Sequence, residues 1–325
     1  MKAAVLEYGK LKVKDMPEPE ARAGEAVVEL RTAGLNHRDL NIPNRWGNDK
    51  EALILGSDGA GVVTAVGEGV TNVAVGDEVI INPALRWFDN SPAPPQGFDI
   101  LGMPDHGTFA EKIAISAEQL EKKPAHLSWD EAGVMGLAML TGYRALITKG
   151  EVKEGDTVFI PGAGSGVATY LIQFAKQAGA RVIVTSRSEE KQKHALELGA
   201  DRAIDTNSDW QQELAGETVD LVIESIGRAT FNRSLDVLKK GGRIVVFGAT
   251  TEDTVDFDLR KFFYGQYQLF GSTMGSRDEF RAALKLIADH ELHSAVDRTF
   301  ALDELEEAFA YLKEGKQFGK LAFKL

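Results

Sequence analysis

No cysteine occurs anywhere in the chain. That excludes a disulfide framework and any thiolate-held metal. Long apolar runs are missing too: none approaches the roughly 20 residues that a membrane-spanning helix needs. Residues 1–6 lead into a strand-like segment without the apolar region of a secretory leader. No membrane association and a cytoplasmic location are the expectation. Positive charge is also scarce: 37 Lys and Arg face 49 Asp and Glu, a formal net charge of −12. Nonspecific nucleic-acid binding needs a cationic face and is thereby disfavoured. Internal repeats and low-complexity segments are not found.

What is present is enough for two cores. The chain has 325 residues, more than one ordinary core accommodates. Hydrophobic residues at 43% and charged residues at 26% fit a soluble globular protein. Residues 1–124 read as β-rich, with short apolar runs such as 26–30 and 76–80 set between Gly, Pro and Asn. The glycine-dense stretch 56–69 reads as tightly turned strands rather than a phosphate loop, because no helix pattern follows it. Residues 82–102 carry Pro83, Pro92, Pro94 and Pro95 and read as a long irregular loop. Trp87 and Phe88 lie in it, either lining a pocket or pinning the loop down.

From Thr157 onward the pattern alternates. Strands are expected at 157–160, 181–185, 219–223 and 243–247, and helices at 167–178 and 188–198. Ser188 suits a helix N-cap and Gly199 a stop. Such alternation builds a parallel sheet covered on both faces. An amphipathic helix over 276–289 and a strand-like tail at 320–325 follow.

A glycine-rich turn, residues 161–168, joins the first of these strands to the first helix. A backbone without side chains there can approach a pyrophosphate, and the helix N-terminal amides stabilise its charge. Gly164, Ser165, Gly166 and Val167 are the expected contacts. At the end of the second strand an NAD-binding protein usually carries Asp or Glu for the ribose. This chain has Ser186 and Arg187 there, with Lys191 one turn on. A hydroxyl and two cations suit a 2′-phosphate, so the expected cofactor is NADP. The competing reading makes Arg187 and Lys191 ordinary surface charges beside Glu189 and Glu190.

Several short motifs stand in a fixed order: Gly34-Leu35-Asn36-His37-Arg38-Asp39, Leu55-Gly56-Ser57-Asp58-Gly59-Ala60-Gly61, Val75-Gly76-Asp77-Glu78-Val79, Gly107-Thr108-Phe109-Ala110-Glu111, Leu140-Thr141-Gly142-Tyr143, the glycine turn, Leu198-Gly199-Ala200-Asp201 and Phe318-Gly319-Lys320. With these the chain resembles the medium-chain dehydrogenase/reductase superfamily, on its zinc-free quinone-oxidoreductase-like side, over nearly its whole length. The resemblance implies an α/β fold: a GroES-like β-rich domain at 1–124, a doubly wound Rossmann domain at 125–270, and a return to the first domain at 271–325, with the active site in the cleft between them. It also implies that Thr141, Ile226, Gly227, Phe247, Gly248, Ser272, Thr273 and Lys320 touch the cofactor. Ser165 and Ala168 stand where the family commonly has glycine; both are small, so binding should survive.

Zinc-dependent members hold catalytic zinc with Cys, His and Cys. The matching places here are Asn36, Ser57 and Leu137. Leu cannot ligate a metal, and an amide with a hydroxyl is a poor zinc site. The structural four-cysteine lobe would fall in the proline-rich loop, which has no cysteine. His37, Asp58, His106 and Glu111 match no common ligand spacing, so no metal is expected. Without a Lewis acid, acceptors that take hydride readily are favoured, namely quinones and α,β-unsaturated carbonyls. Asn36 and then Ser57 are the expected hydrogen-bond donors to the developing oxyanion. Asp39 reads as part of a structural network. Arg45, Trp46 and Trp87 are the substrate-side candidates. A homodimer is expected through the edge strands at 243–247 and 268–272. The alternative to an enzyme is a cofactor-bound sensor or binding protein with little turnover.

Overall fold

A computed structural model describes residues 1–47 and 51–325, and the chain divides into two units, Met1–Leu140 with Gly275–Leu325, and Thr141–Met274. Strands that are apolar throughout must be covered on both faces. In the second unit Val158, Phe159, Val182, Ile183, Val222 and Ile223 are all buried. Its six strands lie in the order Arg202–Asp205, Arg181–Ser186, Thr157–Ile160, Val219–Glu224, Leu238–Val246, Gln268–Gly271, every neighbouring pair parallel. Counted along the chain this is 3-2-1-4-5-6, the Rossmann order, and it reverses between Thr157–Ile160 and Val219–Glu224. Helix Glu189–Glu197 starts where the sequence predicts, with Ser188 Oγ accepting the Lys191 N–H.

The first unit is organised about one eleven-residue strand, Glu25–Leu35. Asp58–Val66 and Lys112–Ser116 pair with it, and so does Lys320–Lys324 from the far end of the chain. That last strand also runs parallel to Val296–Ala301. Helix Arg277–Asp289 buries Phe280, Ala283, Leu284 and Ile287, the spacing of one helical face. Ser276 and Glu279 close a capping box at its start. Among the described residues no helix is long and apolar enough to cross a membrane.

Two expectations need correcting. Residues 125–140 belong with the first unit. Helix Trp129–Gly133 lies so close on Glu25–Leu35 that a Cβ at Gly133 would come 2.6 Å from Thr32 Cβ. Asp130 accepts hydrogen bonds from Thr32 and Thr299, tying this segment to two strands. The proline-rich loop is irregular between Arg86 and Phe98, as expected, and is closed at its base. Ala84–Leu85 pairs antiparallel with Asp99–Ile100, and Arg86 bridges to Asp99 and Asp105. Trp87, expected beside substrate, is buried beneath this loop. Its indole N–H donates to Ser91 Oγ at 2.9 Å and its ring meets Phe98 edge-on. The Trp87 and Phe88 carbonyls accept the first two amides of helix Arg277–Asp289. Trp87 therefore pins the loop.

Candidate functional site

Strand register assembles the first cluster. Ala322 and Asp58 flank Gly34 on its two sides, and Leu321 faces Leu35. Asn36, Asp58 and Lys320 thus stand at the same end of three adjacent strands. Asp58 is fully buried; its Oδ1 accepts the Leu137 N–H at 2.6 Å, and its Oδ2 accepts Asn36 Nδ2–H at 2.9 Å and Lys320 Nζ–H at 3.0 Å. Lys320 also donates to Asn36 Oδ1 at 2.5 Å. Gly34 is required here, because a Cβ would sit 2.7 Å from Val134 Cα and 3.1 Å from Asp58 Oδ2.

A second cation adjoins this group. Arg38 Nη1 donates to Ser57 Oγ at 2.6 Å and to the Leu101 carbonyl at 2.9 Å, while Ser57 donates to the same carbonyl at 2.8 Å. Burial lowers the Arg38 pKa, against the pull of Asp39. Asp39 is fully buried. Its Oδ2 accepts the Asn36 N–H at 2.8 Å and its Oδ1 has no partner among the described residues. Burial pushes its carboxyl up to about 6, with Arg38 opposing.

Counting protons changes the roles expected of Asn36 and Ser57. The Asn36 amide is committed to Asp58 and, at 3.4 Å, to the Gly34 carbonyl; the Ser57 proton is committed to Leu101. Both residues hold neighbours in place. N–H groups without a protein acceptor among the described residues remain on Lys320 and on Arg38 Nε and Nη2. Lys320 was expected at the cofactor; in the structure its ammonium lies within the first unit's cluster. Against Arg38 lies a cavity of about 450 Å³, and Arg45 and Trp46 line it with Phe98 and Met103. A larger cavity of the first unit, about 530 Å³, is lined by none of the expected site residues.

In the second unit the glycine turn sits at the carboxyl end of Thr157–Ile160, beside the point where strand order reverses. Ser165 caps helix Gly166–Gln177, its Oγ accepting the Ala168 N–H at 3.1 Å. The Gly166 and Val167 amides keep no protein acceptor among the described residues. Gly162 has φ +82°, and a Cβ there would come 3.1 Å from Ile226 Cδ1, so the turn and the loop after Val219–Glu224 touch. That loop is held by Glu224, which no sequence signal singled out. Its buried carboxylate accepts from the Ile226 and Gly227 amides and from the Thr230 and Ser234 hydroxyls. Ile226, Gly227, Phe247, Gly248, Ser272 and Thr273 all follow carboxyl ends of parallel strands. The Ser272 hydroxyl is buried without a partner among the described residues. Thr141 is buried with Oγ1 3.8 Å from Met274 Sδ. Ser186 ends the second strand and its Oγ accepts the Ser188 N–H at 3.1 Å; Arg187 is exposed and Lys191 lies in the following helix. Free helix amides, an unpartnered hydroxyl and a strand end without an acid fit a dinucleotide.

Residues 22–125 match the family model of the alcohol dehydrogenase GroES-like domain, and residues 166–289 that of the zinc-binding dehydrogenases. The acryloyl-coenzyme A reductase of Metallosphaera sedula is 32% identical, the match covering 99% of each chain. The chain belongs to the medium-chain dehydrogenase/reductase superfamily. Among solved structures of the superfamily, an NAD-dependent alcohol dehydrogenase is similar with a TM-score of 0.91 and 33% identity, covering 100% of both chains. The crotonyl-CoA carboxylase/reductase AntE in complex with NADP superposes with a TM-score of 0.89 at 25% identity, covering 100% of this chain and 94% of that one. As a member of this superfamily the protein is an oxidoreductase.

Zinc is implied by the name of one family model, and the donor set does not fit it. The Asn36 oxygen is occupied by an ammonium, the Ser57 oxygen faces a guanidinium, and Leu137 offers Asp58 only its backbone N–H. Two cations already converge where a third would have to sit. His106 Nδ1 accepts the Ile54 N–H and Glu111 accepts the Lys2 N–H, while among the described residues no three His, Cys, Asp or Glu could hold a metal.

Proposed function

We propose that the protein is an NADPH-dependent, zinc-independent reductase of double bonds conjugated to a carbonyl, with quinones as further acceptors. The observation that carries this reading is the Lys320 ammonium, bonded to Asn36 and Asp58 beside the Arg38–Ser57 pair. A bound dinucleotide supplies the hydride. Addition to the β-carbon of an enone moves negative charge onto the carbonyl oxygen, and a proton from water completes the α-carbon. The remaining N–H of the Lys320 ammonium suits that developing charge, and Asn36 and Asp58 hold it so that little reorganisation is needed. A simple alcohol would need a Lewis acid, which these hydrogen-bond donors do not supply. The acyl-CoA reductases among the relatives support reduction of a conjugated thioester. For the cofactor, Ser186 and Arg187 at an acid-free strand end support the phosphorylated dinucleotide. We also take the protein to be a homodimer.

The test follows NADPH consumption with 2-cyclohexenone, crotonyl-CoA, a benzoquinone and a simple ketone, and NADP reduction with alcohols. Conjugated acceptors should turn over and the ketone and alcohols should not. Turnover confined to alcohols would end this reading. Arg187→Ala should weaken NADPH about tenfold or more, the worth of one charged hydrogen bond, and barely affect NADH. Equal weakening of both would make Arg187 a surface charge only.

A further inference from the structure

Acids outnumber bases by 49 to 37 in this chain, and most of its arginines have found one. Arg181, Arg202, Arg277, Arg281 and Arg298 all lie against a carboxylate. Arg38 and Arg45 line the same cavity of about 450 Å³, and neither pairs with a carboxylate among the described residues. Asp99, the acid of that lining, is claimed by Arg86 at 2.6 Å. Arg38 is half-buried and satisfied only by neutral oxygens. Asp39 and Asp58 act on Arg38 only at a distance, without a direct contact; withdrawing a guanidinium from water is costly, and an incoming anion in direct contact offsets that cost. The remaining walls, Trp46, Phe98 and Met103, are apolar.

We infer that this cavity anchors the substrate by an oxyanion substituent, carboxylate or phosphate, held between Arg38 and Arg45 with its apolar body against Trp46, Phe98 and Met103. That the ligand is a substrate rests on the reductase reading above. An anion on Arg38 would lie one side chain from Ser57, to which Arg38 is bonded. A bidentate guanidinium contact also discriminates by geometry, which a lysine would not.

Binding alone tests this, without cofactor or turnover, so it can fail while the reductase reading stands, and the reverse. Quenching of tryptophan fluorescence would be titrated with cinnamate, methyl cinnamate and coenzyme A, in buffer free of phosphate. Trp46→Phe identifies the signal that comes from the cavity. An anionic probe, cinnamate or coenzyme A, should bind at least about tenfold more tightly than the neutral ester. Arg45→Gln should cut that preference severalfold and Arg38→Gln with Arg45→Gln should abolish it, Arg45→Lys should restore part of what Arg45→Gln loses, and salt should weaken it. Tight cinnamate with weak coenzyme A identifies a free carboxylate as the group recognised; the reverse identifies a phosphate of a thioester substrate. Equal affinity for acid and ester with no response to coenzyme A, or an anion preference unchanged when both Arg38 and Arg45 are replaced by Gln, would overturn the inference.

Discussion

Lys320 and Asp58 form a buried pair, side chains 5% and 0% exposed, and the cost of breaking such a pair falls on the partner left behind. Lys320→Met should destabilise the protein by about 3–5 kcal/mol, read by denaturant unfolding. Adding Asp58→Asn should recover part of that loss. If the single and double variants are equally unstable, the ammonium does not serve the carboxylate. Lys320→Arg keeps the charge, so its kcat should stay well above that of Lys320→Met; equal kcat values would remove Lys320 from the chemistry. Asp39 carries a pH signature of its own. Its folded pKa of about 6 lies above the ordinary carboxylate value, so the native state holds the extra proton between roughly pH 4 and 6. Stability should therefore fall as pH rises through that window, by up to about 3 kcal/mol, and stay low above it. Asp39→Asn should abolish this fall and be the more stable protein at pH 8. Identical pH profiles would show that Asp39 titrates normally. Motif matching located Asn36 and Ser57 but not what they do. Their partners include Lys320, 284 positions from Asn36 and 262 from Asp58, and strand register between such distant segments leaves no local trace.

Periodic elements were legible along the chain because period is a local property. The helix expected at 276–289 forms at Arg277–Asp289, capped by Ser276, and the strand Thr157–Ile160 forms where expected. The irregular course of the proline-rich loop was legible, but its closure was not, because Ala84 meeting Ile100 and the burial of Trp87 against Phe98 have no periodic signature. Edge strands carry a further consequence. Among the described residues Gln268–Gly271 bonds to Leu238–Val246 on one side only, and Leu269 is exposed, as are Phe263 and Tyr264 in the preceding helix Leu259–Gly265. An open, apolar edge invites a second strand, and two copies related by a two-fold axis would supply it to each other. Sedimentation at micromolar concentration should show a dimer, and Leu269→Lys should shift it towards monomer. A monomeric wild type would refute this pairing.

For the molecule as a whole, alternation and motif order specified the fold class, while the division between units lay beyond the sequence reading. Residues 125–140 follow β-rich sequence and precede Rossmann sequence, and only their packing on Glu25–Leu35 assigns them. The donor chemistry gives a whole-molecule test as well: elemental analysis should find no stoichiometric zinc, and chelator should leave activity unchanged. One zinc per chain that activity depends on would refute the reading. Lastly, Lys320–Lys324 completes the sheet of Glu25–Leu35. On the ribosome the contiguous segment 141–274 can collapse as it emerges, whereas the earlier one must wait with a strand edge open until residues 320–324 have been made. A message broken shortly before Lys320 would release a chain lacking the ammonium beside Asn36, with an uncovered edge on Glu25–Leu35 for chaperones and proteases to find.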